Sequence, residues 1–204
     1  VVYVYDPLTN LLLWEYDFGF GLFGRNVIIN DLDNNGDPEL IVALDQKIVI
    51  FNYNSINSTF TMTREILLNN ISDIVIADMN GDNIDEIMVV HEVDYNRSLT
   101  TYDNAFTSVA SYKINHYVSS IHVENLPGAH KNILLASEES IGFGVSSYEI
   151  IKLHSIDPYT GIEIWQSPNL LGRIPINSLK YADVNDDLNL ELIFTTQKAI
   201  NVIH

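Results

Sequence analysis

The sequence predicts an all-β protein, a β-propeller of about four blades, each a four-stranded antiparallel sheet. Three observations predict it. Acidic loops of one spacing each run into an apolar strand, those loops recur at blade-length intervals, and a second turn motif occurs twice outside them.

The loops are Asp31-Leu-Asp33-Asn-Asn35-Gly-Asp37-Pro-Glu39, Asp78-Met-Asn80-Gly-Asp82-Asn-Ile84-Asp-Glu86 and Asp183-Val-Asn185-Asp-Asp187-Leu-Asn189-Leu-Glu191. Each places oxygen-bearing side chains at loop positions 1, 3, 5 and 9. Side chains two apart in a tight loop converge, and calcium takes about six to eight oxygens at flexible geometry, a closing carboxylate binding with both of its own. The spacing therefore predicts calcium at Asp31, Asp33, Asn35 and Glu39, at Asp78, Asn80, Asp82 and Glu86, and at Asp183, Asn185, Asp187 and Glu191.

The flanks separate this from an EF-hand. Val27–Ile29, Ile74–Ala77 and Ser178–Ala182 precede the loops, and Leu40–Ala43, Ile87–Val90 and Leu192–Thr195 follow them. These short β-branched and aromatic runs are strands, too short for helices. The bidentate Glu of an EF-hand is replaced by Val42, Val89 and Phe194. Each loop is therefore the turn of a β-hairpin.

Asp31 and Asp78 lie 47 residues apart, about the length of a four-stranded blade. Asp78 and Asp183 lie 105 apart, room for two blades, so a further copy is expected midway. Ile121–Ala136 supplies the strand, loop and strand, with Glu124 placed 46 residues after Asp78. Leu126 and Gly128 stand at its positions 3 and 5, so no calcium is expected there. One domain spanning 1–204 follows, with repeats centred on 27–43, 74–90, 120–136 and 179–195.

Asp6-Pro-Leu-Thr9-Asn10-Leu-Leu-Leu-Trp14 and Asp157-Pro-Tyr-Thr160-Gly161-Ile-Glu-Ile-Trp165 share Asp, Pro, Thr and Trp at one spacing. Asp-Pro opens a type I turn, and Asn or Gly then supplies the positive φ of a hairpin. The motif reads as an outer hairpin whose Trp packs between blades, in preference to a platform for a sugar or quinone ring.

The acidic loops resemble FG-GAP/VCBS-type repeats, the family that includes the integrin α-subunit propeller. The Asp-x-x-Thr-Gly-x-x-x-Trp hairpins resemble those of quinoprotein-type (PQQ-like) propeller repeats. The resemblance implies propeller blades with calcium in the first hairpin of each, serving adhesion, ligand binding or scaffolding. It also implies main-chain carbonyl ligands at position 7, from Asp37, Ile84 and Asn189. Glu replaces the commoner Asp at position 9, and Leu188 replaces the usual small residue after position 5, which makes the third loop the most divergent site.

Composition narrows the partners. With 47% hydrophobic and 18% charged residues the 204-residue chain can bury a core. No apolar run reaches the roughly 20 residues of a membrane-spanning helix. The formal charge is −17, and three bound calcium ions, adding six charges, would leave −11. Nucleic acid and anionic membranes, which need clustered Lys and Arg, are poor partners for such a chain. The expected partner is a protein or glycan, together with the rest of a larger chain or assembly.

The absence of Cys leaves the compartment open, as do Asn-x-Ser/Thr sequons at Asn57, Asn70 and Asn96. Calcium loops of few ligands bind weakly and fill where calcium is millimolar, which points to an extracellular or cell-surface home. Val1–Tyr5 reads as a strand and not as a signal peptide. Val1–Asp6 and Leu11–Tyr16 read as the third and fourth strands of a blade, Leu190–Thr196 and Ala199–His204 as the second and third. A chain that starts and stops mid-blade either closes as a four-bladed ring, its last blade completed by Leu11–Tyr16, or is part of a larger propeller, and the second is expected because an open arc would leave strands unpaired.

Gly19-Phe-Gly21-Leu-Phe-Gly24 has the letters of a phosphate loop but precedes a strand, and reads as a turn. The six His show no H-x-H or H-x-x-x-H spacing, which speaks against a zinc or general-base cluster and assigns them to surfaces or blade edges. His91–Thr107 and Ser137–Ser147 read as insertions that face a partner or cap a blade. The function expected is a non-enzymatic, calcium-stabilised propeller module for adhesion, ligand binding or assembly. The alternative is the propeller of a calcium-dependent polysaccharide lyase or other carbohydrate-active enzyme, recognisable by His, Lys or Arg converging with carboxylates.

Overall fold

In a computed structural model of the chain, residues 1–114, 117–123, 131–141, 148–171, 180–186, 191–195 and 200–203 are described. Every regular element among them is a strand. The chain divides into two compact units, Val1–Ile71 and Ser72–His204.

In the first unit β1 (Val2–Tyr5) pairs antiparallel with β2 (Leu12–Tyr16). A four-stranded meander follows, in the order β3 (Gly24–Asn30), β4 (Glu39–Leu44), β5 (Lys47–Asn54) and β6 (Thr59–Leu67). Consecutive strands are neighbours because each link is a short turn, too short for a crossover. All six residues of β4 are buried, whereas the edge strand β6 is mostly exposed. Trp14 packs edge-on to Phe51 at 5.1 Å between centroids and against Phe60 at 5.0 Å, so the predicted Trp does join neighbouring sheets here. Such aromatic pairs contribute about 0.5–1.5 kcal/mol beyond their buried area.

The second unit repeats the meander. One sheet runs β7 (Asn69–Ala77), β8 (Glu86–Val93), β9 (Asn96–Tyr102) and β10 (Ser108–Lys113). The next runs β11 (Tyr117–Val123), β12 (Ile133–Ile141), β13 (Tyr148–Ile156) and β14 (Glu163–Gln166), with β15 (Leu170–Leu171) also on β13. The last is β16 (Lys180–Ala182), β17 (Glu191–Thr195) and β18 (Ile200–Ile203). Side chains alternate across a strand, so neighbours on β12 feed two cores. Leu135 joins Met88, Val90 and Leu99, while Leu134 joins Leu192 and Phe194. Each such side chain contributes about 1.5–3 kcal/mol by burial.

The stretch 91–107, expected as an insertion, is instead the β8–β9 hairpin and the turn beyond it. Asp94 and Tyr95, at φ 48° and 61°, form its two-residue connection, a conformation open to Asx residues and here imposed on Tyr95. Ser137–Ile141 of the other expected insertion belongs to β12, and 142–147 lies outside the described residues. Gly19 and Gly21, at φ 86° and 82°, form the turn before β3 as the sequence implied.

Candidate metal centre

The three acidic loops join β3 to β4, β7 to β8 and β16 to β17. Loop positions 4 and 6 require positive φ, supplied by Asn34 and Gly36 in the first loop and by Gly81 and Asn83 in the second. These are residues that enter the left-handed region at low cost. Asp186 does the same at position 4 of the third. The resulting coil turns the side chains of positions 1, 3 and 5 inward, onto the loop's own amides. Asp31 accepts from the N–H groups of Asn35 (3.0 Å) and Gly36 (2.8 Å). Asp78 accepts from Gly81 (2.7 Å) and Asn83 (3.0 Å).

Position 9 is the keystone. Glu39, Glu86 and Glu191 are 3%, 7% and 2% exposed, each the first residue of a strand. One carboxylate oxygen of each accepts the N–H of position 2, from Leu32 at 2.8 Å, Met79 at 2.8 Å and Val184 at 2.9 Å. The longer Glu, where Asp is commoner, reaches back across the loop mouth and closes it.

The other oxygen differs between loops. In the second loop the Asn80 amide donates to Glu86 Oε1 at 2.7 Å and to Asp82 Oδ2 at 3.1 Å. In the third, Asn185 donates to Glu191 Oε1 at 3.3 Å. The first loop has Asp33 at that position, a residue with no donor. Glu39 Oε1 is accordingly buried without a hydrogen-bond partner, and ligand atoms of Asp31, Asp33 and Glu39 all lie within 4.8 Å of one another. Burial, with the charges of Asp33 and Asp31 added, pushes the Glu39 carboxyl up. Burial likewise raises Glu86. At Asp78 desolvation pushes upward, but the N–H bonds from Gly81, Asn83 and Asp82 outweigh it and hold the carboxyl below its usual range.

A buried anionic oxygen without a donor is costly unless a cation meets it. The first loop therefore fits a hard divalent cation through Asp31, Asp33 and Glu39, with Asn35 at the rim. In the second loop an amide N–H₂ stands between the Glu86 and Asp82 carboxylates, in the third it donates to Glu191, and turning either amide over would offer its oxygen instead. Asp37 is exposed and its N–H is engaged by Asn35 Oδ1 at 2.7 Å. Ile84 is exposed, its N–H held by Asp82 Oδ1 at 2.8 Å. Asp187 and Asn189 fall outside the described residues, as do Leu126 and Gly128 of the degenerate loop.

The two Asp-Pro turns have one geometry. Asp6 Oδ1 accepts from Leu8 and Thr9, Asp157 Oδ1 from Tyr159 and Thr160, and Asn10 and Gly161 have φ of 56° and 70°. The second is fixed to the preceding sheet, since Pro158 O accepts from Thr101 Oγ1 at 2.8 Å and from the Tyr112 hydroxyl. Trp165, unlike Trp14, is exposed, and among the described residues no aromatic ring pairs with it.

The histidines correct the sequence reading. His91 and His154 are buried and not at blade edges. Burial lowers His91, and burial with the charge of Lys180 lowers His122 to about 4. His116, His130 and His204 lie outside the described residues.

Residues 31–89, from the start of the first loop into the strand after the second, match the model of the FG-GAP-like repeat. This part of the chain is thus built of FG-GAP-type propeller repeats. Among solved structures the chain is similar to an exotype rhamnogalacturonan lyase, YesX, with a TM-score of 0.58, 12% identity, and coverage of 94% of this chain and 40% of that one. It also matches BBS1N in complex with ARL6DN, soaked with mercury, at a TM-score of 0.48 and 14% identity, covering 88% of this chain and 66% of that chain. At 12% identity the likeness to the lyase is one of fold alone, and the chain spans about two fifths of the lyase's length. Comparison with curated proteins finds no match.

Proposed function

We propose that this chain is a calcium-stabilised propeller module that binds or assembles with a protein or glycan outside the cell or at its surface. The observation that carries the calcium part is Glu39, a buried carboxylate with one oxygen held by Leu32 and the other without a partner, in a group whose ligand atoms lie within 4.8 Å of those of Asp31 and Asp33. The ion would be held there by Asp31, Asp33, Asn35 and Glu39. The second and third loops would hold it through Asp78, Asn80, Asp82 and Glu86, and through Asp183, Asn185, Asp187 and Glu191, with the carbonyls of Asp37, Ile84 and Asn189. When bound, calcium supplies positive charge to converging carboxylates and fixes the hairpin.

The loops would bind and brace. Few ligands on a surface hairpin make a weak site, which supports a calcium-rich exterior. The residual charge of −11 disfavours anionic partners. Calorimetric titration of chelator-treated protein with calcium tests the reading, and wild type and Asp31→Ala giving the same flat trace would remove it.

A second reading has the fold likeness to a rhamnogalacturonan lyase in its favour. An acidic polysaccharide is a poor match for so acidic a chain, so the binding module comes first. Turnover of acidic polysaccharides in millimolar calcium would reverse that order.

A further inference from the structure

Antiparallel pairing in the second unit brings together three side chains that sequence spacing keeps apart. Ser137 on β12 stands opposite Lys152 on β13, and its side chain reaches diagonally to His154. Ser137 Oγ and His154 Nε2 are 2.7 Å apart. The other ring nitrogen, Nδ1, lies 2.7 Å from Oε2 of Glu163 on β14. An ionised carboxylate only accepts, so Nδ1 carries the proton and Nε2 keeps a lone pair for the serine hydroxyl. The alternative acceptor for that hydroxyl, Lys152 O, is 3.4 Å away and weak by comparison. His154 is 2% exposed and Ser137 5%, while the Glu163 side chain is 45% exposed.

This alignment faces a cavity of about 150 Å³, lined by all three residues together with Leu99, Ile156 and Lys113. The neighbouring sheet shows the same polar ladder without these properties. His91 Nε2 meets Thr100 Oγ1 at 3.0 Å, and Thr100 meets Ser111 at 2.9 Å. There Nδ1 of the imidazole is buried without a partner, among the described residues no carboxylate orients it, and His91 does not line the cavity. A nucleophile bonded to a base that a third group orients is the arrangement of activated serine hydrolysis, recognised by geometry and not by sequence order.

We propose that Ser137, His154 and Glu163 form a hydrolytic site for small carboxylic esters, separate from the calcium loops. Ser137 Oγ attacks the ester carbonyl carbon while its proton passes to His154 Nε2, and Glu163 holds the resulting imidazolium through Nδ1–H. The carbonyl electron pair moves onto oxygen, and Lys113 is the cavity's cationic group for that charge. The pair then returns, the bond to the alkoxy oxygen breaks, and the alcohol leaves with the Nε2 proton. Water attacks the acylated Ser137 by the same route, giving its proton to Nε2; the acid departs and the proton returns to Oγ. Ester and water become acid and alcohol. The space beside the three residues is small, which favours a short acyl group, and Leu99 and Ile156 favour an uncharged one.

The test uses the full chain in millimolar calcium, with p-nitrophenyl acetate as substrate and a small fluorophosphonate as covalent probe. Saturable hydrolysis is expected, together with one fluorophosphonate adduct mapped by mass spectrometry to Ser137. Ser137→Ala should abolish both. Glu163→Gln, a change at the positioning residue, should lower kcat about 100-fold or more with KM little changed, at an unaltered melting midpoint. A purely structural ladder would not produce that split. Hydrolysis no faster than buffer, an adduct on another residue, or an undiminished rate in Ser137→Ala overturns the proposal. Should Ser137→Ala not fold, the adduct on wild-type protein decides alone.

Discussion

Glu39 closes the first acidic loop on Leu32: its Oε2 accepts the Leu32 N–H at 2.8 Å while its Oε1 is buried without a hydrogen-bond partner. One oxygen holds the loop shut, and the other has neither donor nor proposed ion in the calcium-free chain. Calcium should therefore act on stability. Removing it with excess chelator is expected to lower the melting midpoint, since an ion at 100 times its dissociation constant stabilises by about 2.7 kcal/mol per independent site. Asp31→Ala should shrink that difference. Equal midpoints with and without chelator would mean that the loops are turns stabilised by their own amides.

The contrast between Asp33 and Asn80 gives a sharper prediction. Asn80 donates to Glu86 Oε1 at 2.7 Å, and Asp33 has nothing to donate to Glu39 Oε1. Asp33→Asn should raise the stability of the calcium-free protein by about 1 kcal/mol, the worth of one hydrogen bond to a buried acceptor. It should also weaken calcium at that loop, because a charged ligand is lost. Chelator-treated melts and calcium titration read the two effects separately. A loss of stability in the calcium-free state would show that Glu39 Oε1 does not need the donor.

Hairpins, loop positions and the 46- to 47-residue interval were legible because each is local: alternation, a positive-φ residue, a turn dipeptide. The burial of Glu39, Glu86 and Glu191 was not, although a Glu placed as the first residue of a strand and seven residues after an amide it can reach is a usable signal. His91 and His154 were misjudged for a different reason. Spacing along the chain finds ligands on one strand, whereas Ser137, His154 and Glu163 meet through the register of three strands. The run 91–107 looked like an insertion because Asp94-Tyr95 lacks the Gly that marks a tight hairpin.

Gly161 is fixed by two constraints at once. Its φ is 70°, and a Cβ built there would lie 2.5 Å from Cγ of Tyr112, whose hydroxyl bonds Pro158 O on the same turn. Gly161→Ala should cost about 2–4 kcal/mol, combining left-handed strain with displacement of a packed ring. Asn10 holds the matching place in the other turn at φ 56°, so Asn10→Gly should change stability by less than about 0.5 kcal/mol. Urea denaturation in calcium measures both; a Gly161→Ala protein as stable as wild type would mean the turn is not anchored on Tyr112.

His122 sets a pH dependence. Burial, and then the positive charge of Lys180, lowers it to about 4, against 6.5 for the free side chain. Between those two values the unfolded chain binds a proton that the folded chain refuses, so stability rises with pH across the window and is lost as pH falls through it. Buried His91, also lowered, adds to the same slope. Glu39 and Glu86 oppose it in calcium-free protein, because burial raises them and the folded state then takes up protons earlier than the unfolded one. Bound calcium would hold those carboxylates ionised, so the histidine slope should be clearest in millimolar calcium. His122→Asn is expected to flatten the fall between pH 6.5 and 4 by at most about 3 kcal/mol. An unchanged slope in that variant would show that His122 takes up its proton in the folded chain at the ordinary imidazole pH.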